Sequence, residues 1–130
     1  MKIHHIGYLV KGIEKAVAHF EGLGYQVTIP QVYDESRDTD FAFVARDGYC
    51  LELVAPRKTS ELYSMIRKFK NMMYHICYEV EDMEAGIREL QTQGYTLFLD
   101  TCPAPAISPA ARVTFLMGPF GMVELVQLEA

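Results

Sequence analysis

Apolar and polar residues change their spacing several times along the chain, and each change marks an element. From Ile3 to Val10 they alternate, with β-branched and aromatic side chains prominent, as in a strand with one covered face. Ile13, Ala16, Val17 and Phe20 then recur at helical spacing as far as Leu23, and Gly24 stands where a helix would stop in a left-handed turn. A strand resumes over Tyr25 to Ile29. The polar stretch Tyr33 to Thr39 reads as a loop, and Asp47-Gly48 as the turn of a hairpin with strands Phe41 to Ala45 and Tyr49 to Ala55. The unit predicted is βαβββ.

The same pattern then returns. At a constant offset of seventy, His5 falls on His75, Ile6 on Ile76, Tyr8 on Tyr78, Val10 on Val80, Glu14 on Glu84, Gly24 on Gly94 and Tyr25 on Tyr95. Phe43 to Val54 matches Phe115 to Val126 at an offset of seventy-two, which puts Glu52 on Glu124. The two extra residues are most economically placed in the loop Cys102 to Ala111, since loops absorb insertions cheaply. The second copy is therefore expected as strand 73–80, helix 82–93 and strands 95–99, 112–117 and 121–127, with a short helix near 59–69 joining the halves. The fold class is α+β, two βαβββ modules (residues 1–57 and 71–130) in pseudo-two-fold arrangement across a linker helix, 58–70. A chain of 130 residues fits one domain, 1–130.

Under such symmetry, repeated polar residues that face inward converge. His5, Glu52, His75 and Glu124 are of this kind, and each sits in an apolar strand, as Glu52 does in Tyr-Cys-Leu-Glu-Leu-Val. Taken singly, each reads as an ordinary core or surface residue. Taken as a repeated set they call for another explanation, because burying an uncompensated carboxylate costs several kcal/mol and a cation offsets it. Two neutral imidazoles and two carboxylates balance one divalent ion, fill four of six octahedral positions and leave two for water or substrate, as a catalytic site requires. Zinc, nickel, cobalt and manganese all accept this set. His4 pairs with Tyr74 under the repeat and His19 with Glu89, so both are expected to face solvent or loop.

Composition changes this picture little. Half the residues are hydrophobic, enough for a core, and the net charge of -5 gives no general attraction for nucleic acid. Arg57, Lys58, Arg67, Lys68 and Lys70 gather basic charge around the linker helix, where solubility explains them better than phosphate binding. Cys50, Cys77 and Cys102 have no C-x-x-C spacing and read as small hydrophobes. No apolar run suits a signal peptide or a membrane span, so a cytoplasmic protein without membrane partners is expected.

These motifs resemble the vicinal oxygen chelate superfamily, which includes glyoxalase I, methylmalonyl-CoA epimerase, fosfomycin and bleomycin resistance proteins and extradiol dioxygenases. The likeness rests on His5-Ile-Gly-Tyr-Leu-Val10, Leu51-Glu-Leu-Val-Ala-Pro56, Tyr74-His-Ile-Cys-Tyr-Glu-Val80 and Gly121-Met-Val-Glu-Leu-Val126. It implies an open barrel-like cleft around one divalent metal held by His5, Glu52, His75 and Glu124, and a homodimer. It also implies enolisation of a small substrate chelated through neighbouring oxygens, with Glu124 as ligand and base and Glu52 able to act on the opposite face. Asp40 occupies roughly the place of a second acid/base residue in some epimerases, and reads equally well as a solvated aspartate at a loop end. Glu52 resembles bacterial glyoxalase ligands, whereas the segment Ser60 to His75 resembles the epimerase branch. The activity expected is that of a methylmalonyl-CoA epimerase-like enzyme acting on an acyl-CoA. The alternatives are glyoxalase I (lactoylglutathione lyase), acting on a glutathione adduct, and a non-catalytic drug-binding protein. A dioxygenase site would leave the fourth ligand unaccounted for.

Overall fold

A computed structural model describes residues 1–130. Eight strands and three helices follow one another as β1 (Lys2–Leu9), α1 (Ile13–Gly22), β2 (Gln26–Asp34), β3 (Thr39–Arg46), β4 (Tyr49–Pro56), α2 (Tyr63–Phe69), β5 (Met72–Glu79), α3 (Met83–Thr92), β6 (Thr96–Pro103), β7 (Arg112–Gly118) and β8 (Gly121–Gln127). The chain divides into two compact units, an N-terminal one of His5–Tyr74 and a C-terminal one of His75–Ala130 together with Met1–His4. Each carries the predicted βαβββ order, and the class is α+β.

In the N-terminal unit the strands lie in the order β2-β3-β4-β1, β2–β3 and β3–β4 pairing antiparallel and β4–β1 parallel. The order β5-β8-β7-β6 repeats this in the C-terminal unit, with the parallel pair again formed by the first and last strands. Period-two alternation sorts each sheet into two faces. One face packs on the unit's helix: Ala42, Val44, Leu51, Leu53 and Ala55 with Ile13, Ala16, Val17 and Phe20 of α1. Leu116, Val123 and Leu125 pack likewise with Met83, Ile87 and Leu90 of α3. The opposite face carries His5, Phe43 and Glu52 in one unit and His75, Phe115 and Glu124 in the other. It is buried as well, so β4 and β8 run apolar through nearly every position.

Both helices end in the same device. Tyr25 N donates to Phe20 O and Gly24 N to Glu21 O, each at 3.0 Å, and Tyr95 and Gly94 repeat the pair on Leu90 and Gln91. This is the Schellman closure that the two glycines, both at φ 94, permit. Asp47 and Gly48 both take positive φ, as a two-residue hairpin turn requires.

The sequence underestimates β2 and β6. Each was expected to stop after five residues but continues for several more, to Asp34 and Pro103, through register shifts at matching places. Pro30 stops nothing, because β2 is an edge strand that has no need of a proline N–H there. The linker helix is shorter than expected. A turn in which Ser60 N donates to Arg57 O, and Tyr63 N to Ser60 O, delays α2 to Tyr63.

Candidate functional site

The repeat builds the same triangle in each unit. In the N-terminal unit Glu52 stands across β3 from Phe43 and across β1 from Gly7, and His5 lies two residues before Gly7 on the same face. His5 Nε2 comes within 3.3 Å of Glu52 Oε1, and neither side chain has any solvent exposure. The edge of Phe43 packs against the His5 ring, centroids 5.0 Å apart at 84°. In the C-terminal unit Glu124 stands across β7 from Phe115 and across β5 from Cys77, two residues beyond His75. His75 Nε2 lies 3.0 Å from Glu124 Oε1, again fully buried, and Phe115 packs on the His75 ring at 5.2 Å and 84°. Apolar strands thus enclose an imidazole and a carboxylate in contact, twice over.

The donor set suits a divalent ion. Each unit offers one imidazole nitrogen and one carboxylate oxygen, side by side, at a depth where a carboxylate requires compensation.

A residue that sequence reasoning left in a loop belongs beside Glu52. Arg37, only 5% exposed, donates from Nε to Asp34 Oδ2 at 2.6 Å and from Nη2 to Glu52 Oε2 at 3.3 Å, with its guanidinium over the Phe41 ring. Asp34 organises the turn that brings it there, accepting from Ser36 N at 2.9 Å and Arg37 N at 3.4 Å. Ser60 Oγ donates to Arg37 O at 2.8 Å and pins the turn to the segment before α2. The signal available was a repeat broken in character. At an offset of seventy Asp34 and Arg37 fall on Ala104 and Ile107, and at seventy-two Thr39 falls on Ala111. The C-terminal unit packs these three residues into an apolar cluster with Cys77, Val113 and Val126.

Asp40 lies in a different network. Arg57 grips it through two hydrogen bonds, Nε to Oδ2 at 3.1 Å and Nη2 to Oδ1 at 3.0 Å, while stacking 3.9 Å above the Tyr33 ring. The pairing with Asp40 raises the Arg57 pKa. Hydrogen bonds from Thr59 and then Tyr33 hold the Asp38 carboxyl below the usual carboxylate range, and the same Asp38 bond raises the Tyr33 phenol. Of the basic cluster, Arg57 is therefore engaged, while Lys58, Arg67, Lys68 and Lys70 are exposed. His19 is exposed on α1 and His4 is half-buried. Burial, with the Glu52 charge second, pushes the Cys50 thiol up to about 11. A cavity of about 870 Å³ opens in the C-terminal unit beside the start of α3, lined by Lys2, Glu79, Glu81, Asp82 and Glu89 among others; neither His75 nor Glu124 borders it. No helix is long and apolar enough to cross a membrane.

Comparison with known proteins fits the fold. Residues 4–115 match the model of the Glyoxalase/Bleomycin resistance protein/Dioxygenase superfamily, and the chain belongs to that family. No curated protein matches it. Among solved structures, a hypothetical protein from Bacillus halodurans C-125 is 23% identical, with a TM-score of 0.81 over 99% of this chain and 95% of its own. A variant of Streptomyces coelicolor methylmalonyl-CoA epimerase in complex with 2-nitronate-propionyl-CoA is 23% identical, with a TM-score of 0.79 over 100% of this chain and 99% of its own. Methylmalonyl-CoA epimerase from Mycobacterium tuberculosis is 21% identical, with a TM-score of 0.80 over 99% and 88%. At these identities the likeness establishes the fold.

Proposed function

We propose that the chain is a metal-dependent isomerase that moves a proton at the carbon next to a carbonyl, with an acyl-CoA of the methylmalonyl type as substrate. The observation that carries the reading is the twice-built pair, a histidine and a glutamate in contact with no solvent exposure, in strands otherwise apolar. His5, Glu52, His75 and Glu124 would hold one divalent ion, zinc, nickel, cobalt or manganese. When bound, that ion would supply Lewis-acid polarisation of a chelated carbonyl and so lower the cost of removing the adjacent proton. The histidines would serve as nitrogen donors, each ring steadied by a phenylalanine edge. Glu124 takes the proton at a carboxylate oxygen and returns it, the apolar walls of its strand keeping bulk water from competing. Asp40 is held by Arg57 and stands outside the proton transfer in this reading. The fold shared with methylmalonyl-CoA epimerases supports the substrate class, and the reading carries with it a homodimer in the cytoplasm.

Glyoxalase I is the second reading, favoured by a glutamate at position 52. A drug-binding protein without catalysis fits less well, since such a protein has no use for two buried carboxylates. Proton NMR in deuterated water tests the proposal. Metal-loaded protein should exchange the α-proton of methylmalonyl-CoA and leave the methylglyoxal–glutathione adduct unchanged. Turnover of the adduct alone selects glyoxalase, and inertness toward both overturns the enzymatic reading.

A further inference from the structure

The two units agree in histidine, glutamate and phenylalanine but differ in what stands behind the glutamate. Behind Glu52 lies a buried polar chain. Asp34 accepts from Arg37 Nε at 2.6 Å, and Arg37 Nη2 donates to Glu52 Oε2 at 3.3 Å, with both members of the Asp34–Arg37 pair less than a tenth exposed. The positions that answer to Asp34, Arg37 and Thr39 in the C-terminal unit are Ala104, Ile107 and Ala111, packed as core. A guanidinium is costly to bury, and loop solubility does not explain one placed here.

We infer that Arg37 is a positioning residue for Glu52, a conclusion that rests on the metal reading above. Through Nε and Nη2 on one edge, the planar guanidinium bridges two carboxylates, which a single ammonium head cannot reproduce. It fixes Oε2, and with it the direction of Oε1, the oxygen 3.3 Å from His5 Nε2. Because Asp34 balances the arginine's charge, the Asp34–Arg37 pair adds no net positive charge beside Glu52 to compete with the cation. The proposed centre is therefore chemically unequal: Glu52 is clamped as a fixed ligand, and the proton-carrying role falls to Glu124. Partners that orient metal ligands typically govern affinity by about 10–100-fold.

Cobalt(II) titration of metal-free protein, followed by visible absorption and calorimetry, tests this without reference to turnover. Arg37→Gln should weaken cobalt binding by about 10–100-fold with the circular dichroism spectrum intact. Arg37→Lys, which keeps the charge but not the bridge, should fail to restore it. The loss should shrink to within about twofold when Arg37→Gln is made on Glu52→Gln, yet persist in full on Glu124→Gln. Should Arg37→Gln not fold, Asp34→Asn removes the far anchor and should give a smaller loss with the same dependence on Glu52. Wild-type protein that binds cobalt while Arg37→Gln binds equally well, or loses affinity equally on both glutamate backgrounds, overturns the inference alone. Wild-type protein that binds no cobalt overturns the metal reading as well.

Discussion

Phe43 and Phe115 are the residues through which the fold steadies its histidines, and replacing either by leucine measures that support. Each ring is almost fully buried, stands cross-strand from its unit's glutamate and meets its unit's imidazole edge-on at 5.0 or 5.2 Å. Leucine keeps most of the apolar volume, so the repacking cost should stay below about 1.5 kcal/mol. Loss of the edge-to-face contact adds about 0.5–1.5 kcal/mol. Together these give about 0.5–3 kcal/mol, or a melting point lower by about 2–11 °C for a chain of this size. Urea denaturation with chelator present would give the stability term alone. A parallel cobalt titration would show the loss of ring support as weaker binding in both Phe43→Leu and Phe115→Leu, because the contact between ring and imidazole repeats in the two units. If either variant lost stability but bound cobalt like wild type, the phenylalanines would be filler and the support argument would fail.

Other residues give independent checks. A Cβ at Gly118 would stand 2.7 Å from Tyr95 Cζ and closer still to two other ring carbons, so Gly118→Ala should cost about 1–3 kcal/mol in urea melts. The same change on a Tyr95→Ala background should cost almost nothing, and equal losses on both would refute the clash. Cys50, with its thiol raised from 9.0 to about 11, should alkylate about a hundredfold more slowly at pH 8 than an ordinary thiol. Because folding favours the neutral thiol, its contribution to stability is present below pH 9 and is lost as pH rises through 11; rapid native-state labelling would contradict this. Asp40→Asn breaks an ion pair whose arginine is exposed and screened by water, so urea melts should scarcely change. Activity should fall only modestly if Asp40 stands outside the proton transfer, whereas a loss of several orders of magnitude would place it in the chemistry.

Much of this was legible in the sequence because the repeat is a constraint that single elements lack. The helices and their glycine stops recurred in register, the Asp47-Gly48 turn carried its own residue signature, and the repeat set a histidine and a glutamate in matching strands of each half. The long edge strands did not, because their continuation past Pro30 depends on bulges and edge position, neither of which has a residue signature. Arg37 escaped for a physical reason: in a run of seven polar and aromatic residues, nothing local distinguishes a side chain that folds inward from one in water. The contrast with Ala104, Ile107 and Ala111 was visible in the sequence, but it acquires meaning only once Asp34 and Glu52 are seen to share the guanidinium.

The proposed chemistry requires one ion held by His5, Glu52, His75 and Glu124, and elemental analysis of the purified chain tests that most directly. Elemental analysis should find about one divalent ion per chain, its retention through purification reduced when His5 or Glu52 is substituted in the N-terminal unit and reduced also when His75 or Glu124 is substituted in the C-terminal unit. Two ions per chain, each sensitive only to its own unit's pair, or a folded protein that takes up none, would contradict it.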